Sequence, residues 1–424
     1  MSSTELRSDL HTVSLGLDVT WLVLTASGIV LTQVGFALLE SSVAKRKDEK
    51  TILFKNLLDH SIASMSWYFL GWKIFQGIFP TFLPTEEINY ARIFQQFGFE
   101  ITTSSIVSAC VLGRIRMDTY LCFSAFLASF SYPMVAYACW NPGGFLARAG
   151  FKDFGGGLVV HVFGGVNGII ASYLCGRSAV SNVIANNPAA ISSPSTASSI
   201  SPQVNSPNPQ MMTFGGLILY VAWFFVNAGS SGTMLDDTAI KSAGRAALNT
   251  SLAAGAASLQ GYLICTFSKG RLDLGLLVNS LLSGLIAITA PCGFVLPHVA
   301  ALIGFIAPWV YLKSTKVINQ LSLEDPLDAI SVHFVCGLLG TLLLGLFHPN
   351  EGLLYTLQPK LFIVQIFGSV GVILWGLFTA TPFFYVAFTF NRLSYSESVQ
   401  NLGLDAYYFG EYHEKKEDQA SEVI

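Results

Sequence analysis

A chain of 424 residues that is 52% hydrophobic and only 12% charged cannot cover itself with polar surface, since ordinary soluble domains carry roughly a quarter charged residues. This excludes a water-soluble enzyme or binding module, and a net charge of −3 offers no footing for a nucleic acid. Seven cysteines lie mostly in apolar stretches without paired metal-ligand spacing; no metal or cofactor is expected, and Cys265, Cys292 and Cys336 read as small buried hydrophobes.

In chain order, apolar runs of about twenty residues, long enough as helices to cross a ~30 Å hydrocarbon layer, fall at 13–39, 52–76, 93–113, 117–139, 153–175, 212–234, 245–266, 273–291, 293–312, 328–348 and 362–390. Helices are expected rather than strands, because in lipid each backbone polar group must be paired within its own segment. The 38 glycines suit close helix packing. The expected fold class is an all-α polytopic membrane protein with eleven transmembrane helices over residues 1–390, followed by a polar tail, 391–424.

The opening "MSSTELRSDLHTVS" lacks the basic region and short apolar core of a cleavable signal, so the first span is expected to remain. An odd number of spans separates the termini, and fifteen of the 23 Lys and Arg residues, Lys45, Arg114 and Lys313 among them, fall on one face. Basic residues are retained on the cytoplasmic side, which puts the N-terminus outside and the C-terminus in the cytoplasm; the plasma membrane is the expected location, though this distribution does not select it. Residues 178–211 are uncharged and rich in Ser, Pro and Asn. They read as a flexible cytoplasmic loop, either a tolerated insertion or, with the tail, a docking place for a cytoplasmic regulator. Asn249-Thr250-Ser251 matches a glycosylation sequon but reads as part of a helix start.

Two stretches, "DFGGGLVVHVFGG" at 153–165 and "DAISVHFVCGLLG" at 328–340, set a histidine in apolar surroundings with a glycine four residues later. An ionisable group within a span is costly and marks a polar pathway or a partner inside the bundle; a single packing hydrogen bond is the plainer alternative. His161 and His333 lie in spans five and ten. Two five-span halves enter the membrane in opposite directions, and such inverted repeats bring equivalent helices together at the midplane. The imidazoles are then expected to face each other in a narrow pore and to share one proton. A metal is the rival, but Asp153 is eight residues from His161, about 12 Å along a helix axis. Asp153 and Asp328 fit helix N-terminal roles better, satisfying free N–H groups and complementing the dipole.

Further stretches follow in a telling order: "GFALLESSVAKRKDEKTILFKNLLDHSI", "FQQFGFEITTSSIVSACVLGRIR", then after the first histidine "AWFFVNAGSSG", "LNTSLAAGAASLQG", "LSGLIAITAPCGFVLP" and "NLGLDAYYFGEY". Together these motifs resemble the ammonium transporter family, the Amt, Mep and Rhesus proteins, most closely its Amt branch. The resemblance covers nearly the whole chain and implies eleven spans, an inverted five-plus-five repeat plus a final helix, a homotrimer in the lipid bilayer, and a separate pore in every subunit. It also implies roles. His161 and His333 match the twin pore histidines; Trp140 and Ser230 match an outer site that recruits ammonium, with Asp153 supporting it. Phe99 matches the outer of two stacked gate rings, Trp223 lines the pore, and Asn227 ties helices together.

The chemistry suits an ammonium selector. Ammonium and potassium are alike in size and charge, but only ammonium can give up a proton. An aromatic face attracts the cation by roughly 1–2 kcal/mol, and the apolar passage beyond disfavours charge, which favours ammonia there. Several positions depart from the family pattern: Val226 stands where the inner gate ring is expected, Phe225 replaces a glycine, and Gln95 replaces an aromatic residue. Gly113, Pro291, Phe409 and the extra charge Glu100 depart as well. The expected function is ammonium uptake. The alternative is a sensor that binds ammonium outside and conducts little. A membrane enzyme would need a nucleophile or a full metal set, which the sequence does not assemble.

Overall fold

The computed structural model describes residues 3–77, 90–178, 208–321 and 323–410. Most of the loop expected at 178–211 and the end of the tail therefore lie outside the described residues. A helix lies over each of the eleven apolar runs, and among the described residues the only β pairing is an isolated bridge between Ile115 and Ser394.

The helices run α1 (Ser3–Val30), α2 (Thr32–Val43), α3 (Glu49–Ser66), α4 (Trp72–Phe75), α5 (Tyr90–Cys110), α6 (Met117–Phe126), α7 (Tyr132–Trp140), α8 (Phe145–Ala149) and α9 (Phe163–Cys175). The second half continues with α10 (Pro209–Gly229), α11 (Asp237–Ile264), α12 (Leu274–Thr289), α13 (Pro297–Gln320), α14 (Cys336–Phe347), α15 (Leu353–Thr356), α16 (Lys360–Thr389), α17 (Glu397–Leu402) and α18 (Leu404–Phe409). Widened π turns interrupt or open several helices, at Trp67–Gly71, Leu127–Ser131, Gly157–Val162, Cys265–Lys269 and Ile330–Val335.

Among the described residues, seven helical stretches are long and apolar enough to cross a membrane: Asp9–Val43, Met117–Ala149, Gly157–Cys175, Pro209–Gly229, Pro297–Gln320, Ile330–Phe347 and Lys360–Thr389. Helix α12 is as apolar but shorter. Helices α3 and α5 fall outside that set, being richer in charged and polar residues, and three of their ionisable groups, Lys55, Asp59 and Glu100, are buried. Large apolar side chains such as Phe367, Phe378 and Tyr385 of α16 are exposed instead. An apolar exterior around a polar-spotted interior is the arrangement that lipid demands. Asn249 is fully buried in α11, donating to the carbonyls of Cys292 and Val295, so the sequon serves packing.

Helix α16 packs against α9 and α14, and each histidine-bearing π turn packs against the helix that follows the other one. The tail returns to the same molecule. Helix α3 lacks a local side-chain cap; Asp405 of α18 supplies one, accepting from the backbone N–H groups of Lys50 (3.2 Å) and Thr51 (2.8 Å) and from the Thr51 hydroxyl (2.8 Å). In return Asp48 accepts from the Leu404 N–H at 2.8 Å.

Candidate functional site: two facing histidines beneath an outer cavity

Each histidine sits in a π turn, a geometry that widens the helix and re-aims side chains at functional sites. The free N–H groups that open the first turn converge on one carboxylate. Asp153 Oδ1 accepts from Gly156 (3.1 Å) and Gly157 (2.7 Å), and Oδ2 from Leu158 (2.9 Å) and Val159 (3.0 Å). The second turn is capped by Asp325, which accepts from Ala329 (2.9 Å) and Ile330 (2.7 Å). This corrects the capping role expected of Asp328. Its backbone has a φ of 55°, and its carboxylate accepts instead from the Tyr311 hydroxyl (2.7 Å) and Asn279 Nδ2 (3.4 Å). Asp153 and Asp325 each precede their histidine by eight residues, so they are the true counterparts.

The two imidazoles meet. Nδ1 of His161 and Nδ1 of His333 lie 3.2 Å apart, with ring centroids 5.2 Å apart and planes 24° from parallel. One proton between the nitrogens makes one ring donor and the other acceptor. Trp223 stacks on the far side of His161 at 5.3 Å and 15°, held by an Nε1–H donated to Thr289 Oγ1 at 2.9 Å. Phe36 flanks His333 at 5.9 Å. Both histidines are buried, and His161 Nε2 has no hydrogen-bond partner among the described residues.

The glycine four residues after each histidine now has a reason. A Cβ on Gly165 would stand 2.5 Å from Phe334 Cβ, beside His333; a Cβ on Gly337 would stand 2.6 Å from the Gly157 carbonyl oxygen and 3.2 Å from His161 Cβ. Each bare backbone admits the turn that carries the opposite ring.

Above Phe99 opens a cavity of about 370 Å³, lined by Trp140, Ser230, Asp153, Gln95 and others. Phe99 forms its floor, edge-on to Trp140 with centroids 5.4 Å apart. Trp140 is oriented by donating Nε1–H to the Asp153 carbonyl at 2.8 Å. The Asp153 carboxylate thus holds the π turn while its backbone holds the tryptophan. Ser230 donates to the Val226 carbonyl at 2.7 Å, which leaves its oxygen lone pairs for a guest. Asn227 donates to Thr250 Oγ1 at 2.8 Å and ties α10 to α11. Among the described residues no group of three or more His, Cys, Asp or Glu side chains is placed to hold a metal.

The sequence matches the Ammonium Transporter Family over residues 20–414. The chain belongs to the ammonium transporter family. It is 27% identical over 410 residues to "Ammonium transporter 3" of Dictyostelium discoideum, covering 92% of each chain. To "Ammonium transporter Amt2" of Archaeoglobus fulgidus it is 29% identical over 425 residues, covering 92% of this chain and 86% of the other. Its fold is similar to that of a "Sensor Amt Protein" (TM-score 0.81, 24% identity, 94% and 99% of the two chains) and to Candida albicans Mep2 (TM-score 0.76, 20% identity, 90% and 86%).

The positions that depart from the ammonium transporter pattern can be followed individually. Phe225 does not act as a gate ring: it turns towards α1 and lies over Gly28, where a Cβ would stand 2.1 Å from its Cγ. Val226 is buried one turn below Ser230. Gln95 is buried and donates to the Gly229 carbonyl at 2.8 Å. Arg92 and Lys152 also line the cavity; Arg92 donates to the Gly232 carbonyl at 3.2 Å and Lys152 pairs with Glu351 at 3.1 Å. Gly113 adopts a φ of +68° that favours glycine over glutamate. Phe409 packs edge-on against Phe54 at 5.8 Å. Asp325, Thr289 and Phe36 were not legible as site residues by type; for Asp325 the repeated eight-residue offset was the available signal.

Proposed function

We propose that this protein takes up ammonium across the plasma membrane. Ammonium enters the outer cavity, where the Trp140 face attracts it and Ser230 accepts one N–H bond. Past Phe99 the walls are apolar and water is excluded, so the cation gives up a proton and neutral ammonia travels along the buried imidazoles. Potassium has no proton to give and stays outside. The observation that carries this reading is the buried Nδ1 to Nδ1 contact of 3.2 Å beneath an aromatic-floored cavity.

In this reading the eleven helical runs all cross the bilayer, residues 1–390 form the transporting unit, and the distribution of basic residues sets the N-terminus outside and the tail in the cytoplasm. Family resemblance supports a homotrimer with one pore per subunit, net electrogenic transport, and tail or loop regulation by a cytoplasmic partner. The test is growth of yeast lacking its own ammonium permeases on low ammonium. Wild type should restore growth, and the His161→Ala, His333→Ala double variant should not. Surface-localised wild type that fails to restore growth would overturn transport and favour the sensor reading.

A further inference from the structure

Gln95 fills a position at which the ammonium transporter pattern expects an aromatic ring. It lies one helical turn from Phe99 on the same face of α5. The residue is only 3% exposed, yet it lines the outer cavity together with Trp140 and Ser230. Its Nε2 donates at 2.8 Å to the carbonyl of Gly229, the last residue of α10 and the neighbour of Ser230. A carbonyl can only accept, so the amide nitrogen must be the atom that faces Gly229. Oε1 is thereby fixed as the free end of the amide, and among the described residues no donor meets it.

The surroundings hold this amide in place. Arg92, one turn earlier in α5, donates to the Gly232 carbonyl at 3.2 Å, so the first turns of α5 are tied at two points to the end of α10 and the residues that follow it. Ser230 spends its own hydrogen on the Val226 carbonyl at 2.7 Å. Trp140, oriented by the Asp153 carbonyl, stands edge-on to Phe99. The cavity therefore presents two oxygens that need a donor, one from a hydroxyl and one from an amide, beside two aromatic rings.

We propose that Gln95 is a specificity-determining residue: its Oε1 accepts an N–H of the cation in the outer cavity and favours ammonium over its methylated analogue. The proposal rests on the ammonium reading. Each N–H of ammonium is hydrogen-bonded in water, and one that enters the cavity without an acceptor costs free energy. Ser230 supplies one acceptor and Gln95 a second. An aromatic face attracts methylated ammonium groups as well as bare ones, so a ring at this position would serve both cations. An amide oxygen is satisfied by an N–H and not by a methyl group. Replacing the ring by Gln95 thus exchanges a tolerant contact for one that rewards the fully protonated nitrogen.

The test is competition in yeast lacking its own ammonium permeases and expressing the full chain. Uptake of radiolabelled methylammonium gives its KM, and inhibition of that uptake gives the constant for ammonium. Gln95→Leu removes the oxygen at similar size, and the ammonium constant should rise about tenfold, the loss of one hydrogen bond to a charged group, while the methylammonium KM rises by a smaller factor. Gln95→Phe should lower the methylammonium KM relative to the leucine variant and leave the ammonium constant raised. The preference for ammonium should therefore fall in both variants, and furthest in Gln95→Phe. Where Gln95→Leu does not reach the surface, Gln95→Met and Gln95→Phe carry the test. Both constants rising by one common factor, or neither changing, with uptake intact, overturns the specificity role alone and leaves Gln95 as a tie between α5 and α10. Surface-localised wild type with neither methylammonium uptake nor growth on low ammonium overturns the transport reading and the specificity role with it.

Discussion

Asp153 shows how much one side chain can hold. Four N–H groups converge on its carboxylate, and its backbone carbonyl fixes Trp140. Asp153→Ala leaves those buried donors unpaired, and we expect a loss of about 3 kcal/mol, seen as a lower thermal midpoint in detergent. Val226 is the other position with a clear expectation. A phenylalanine below Ser230 would restore the ring that Phe225, packed over Gly28, does not provide. Val226→Phe should slow methylammonium uptake by about tenfold, the effect of roughly 1.4 kcal/mol of added barrier, and ammonium by less. The histidines were legible because a titratable ring in an apolar run is unusual, and the second copy confirmed the first. The roles of Asp325 and Asp328 were not, since two carboxyls three residues apart look equivalent until the backbone places one at the mouth of a π turn and the other at φ 55°.

At the scale of elements, helices were legible from apolar run length, while the π turns at Gly157–Val162 and Ile330–Val335 were not, because one extra residue in a turn leaves no trace in composition. Close packing explains why the glycines matter. Gly337→Ala places a methyl 2.6 Å from the Gly157 carbonyl oxygen; overpacking of this kind costs about 1–3 kcal/mol and should abolish uptake more than it lowers expression. The tail offers a second case. Asp405 caps α3 from the far end of the sequence, a partner that local cap rules cannot find. Asp405→Ala should cost about 1 kcal/mol and raise protease cleavage between residues 391 and 410 in inside-out vesicles.

For the whole molecule, the face that carries Asp48 and Asp325 should make stability depend on pH. Burial pushes the Asp325 carboxyl up to about 7, with help from Asp328 and against the N–H groups of Ile330 and Ala329 and the Arg114 guanidinium. Burial raises Asp48 also, against the Leu404 N–H. In both cases the folded state holds a proton that the unfolded chain releases above about pH 4. Stability should therefore fall as pH climbs from about 4 to 7. Thermal midpoints across that window should decline in wild type and flatten in Asp325→Asn.

The mutual clasp of Gly165 over Phe334 and Gly337 over His161 carries a corollary for biogenesis. Neither half presents a finished wall until its counterpart arrives, so cutting the polypeptide between residues 178 and 208 should yield two fragments that co-purify when made together and are degraded when made singly.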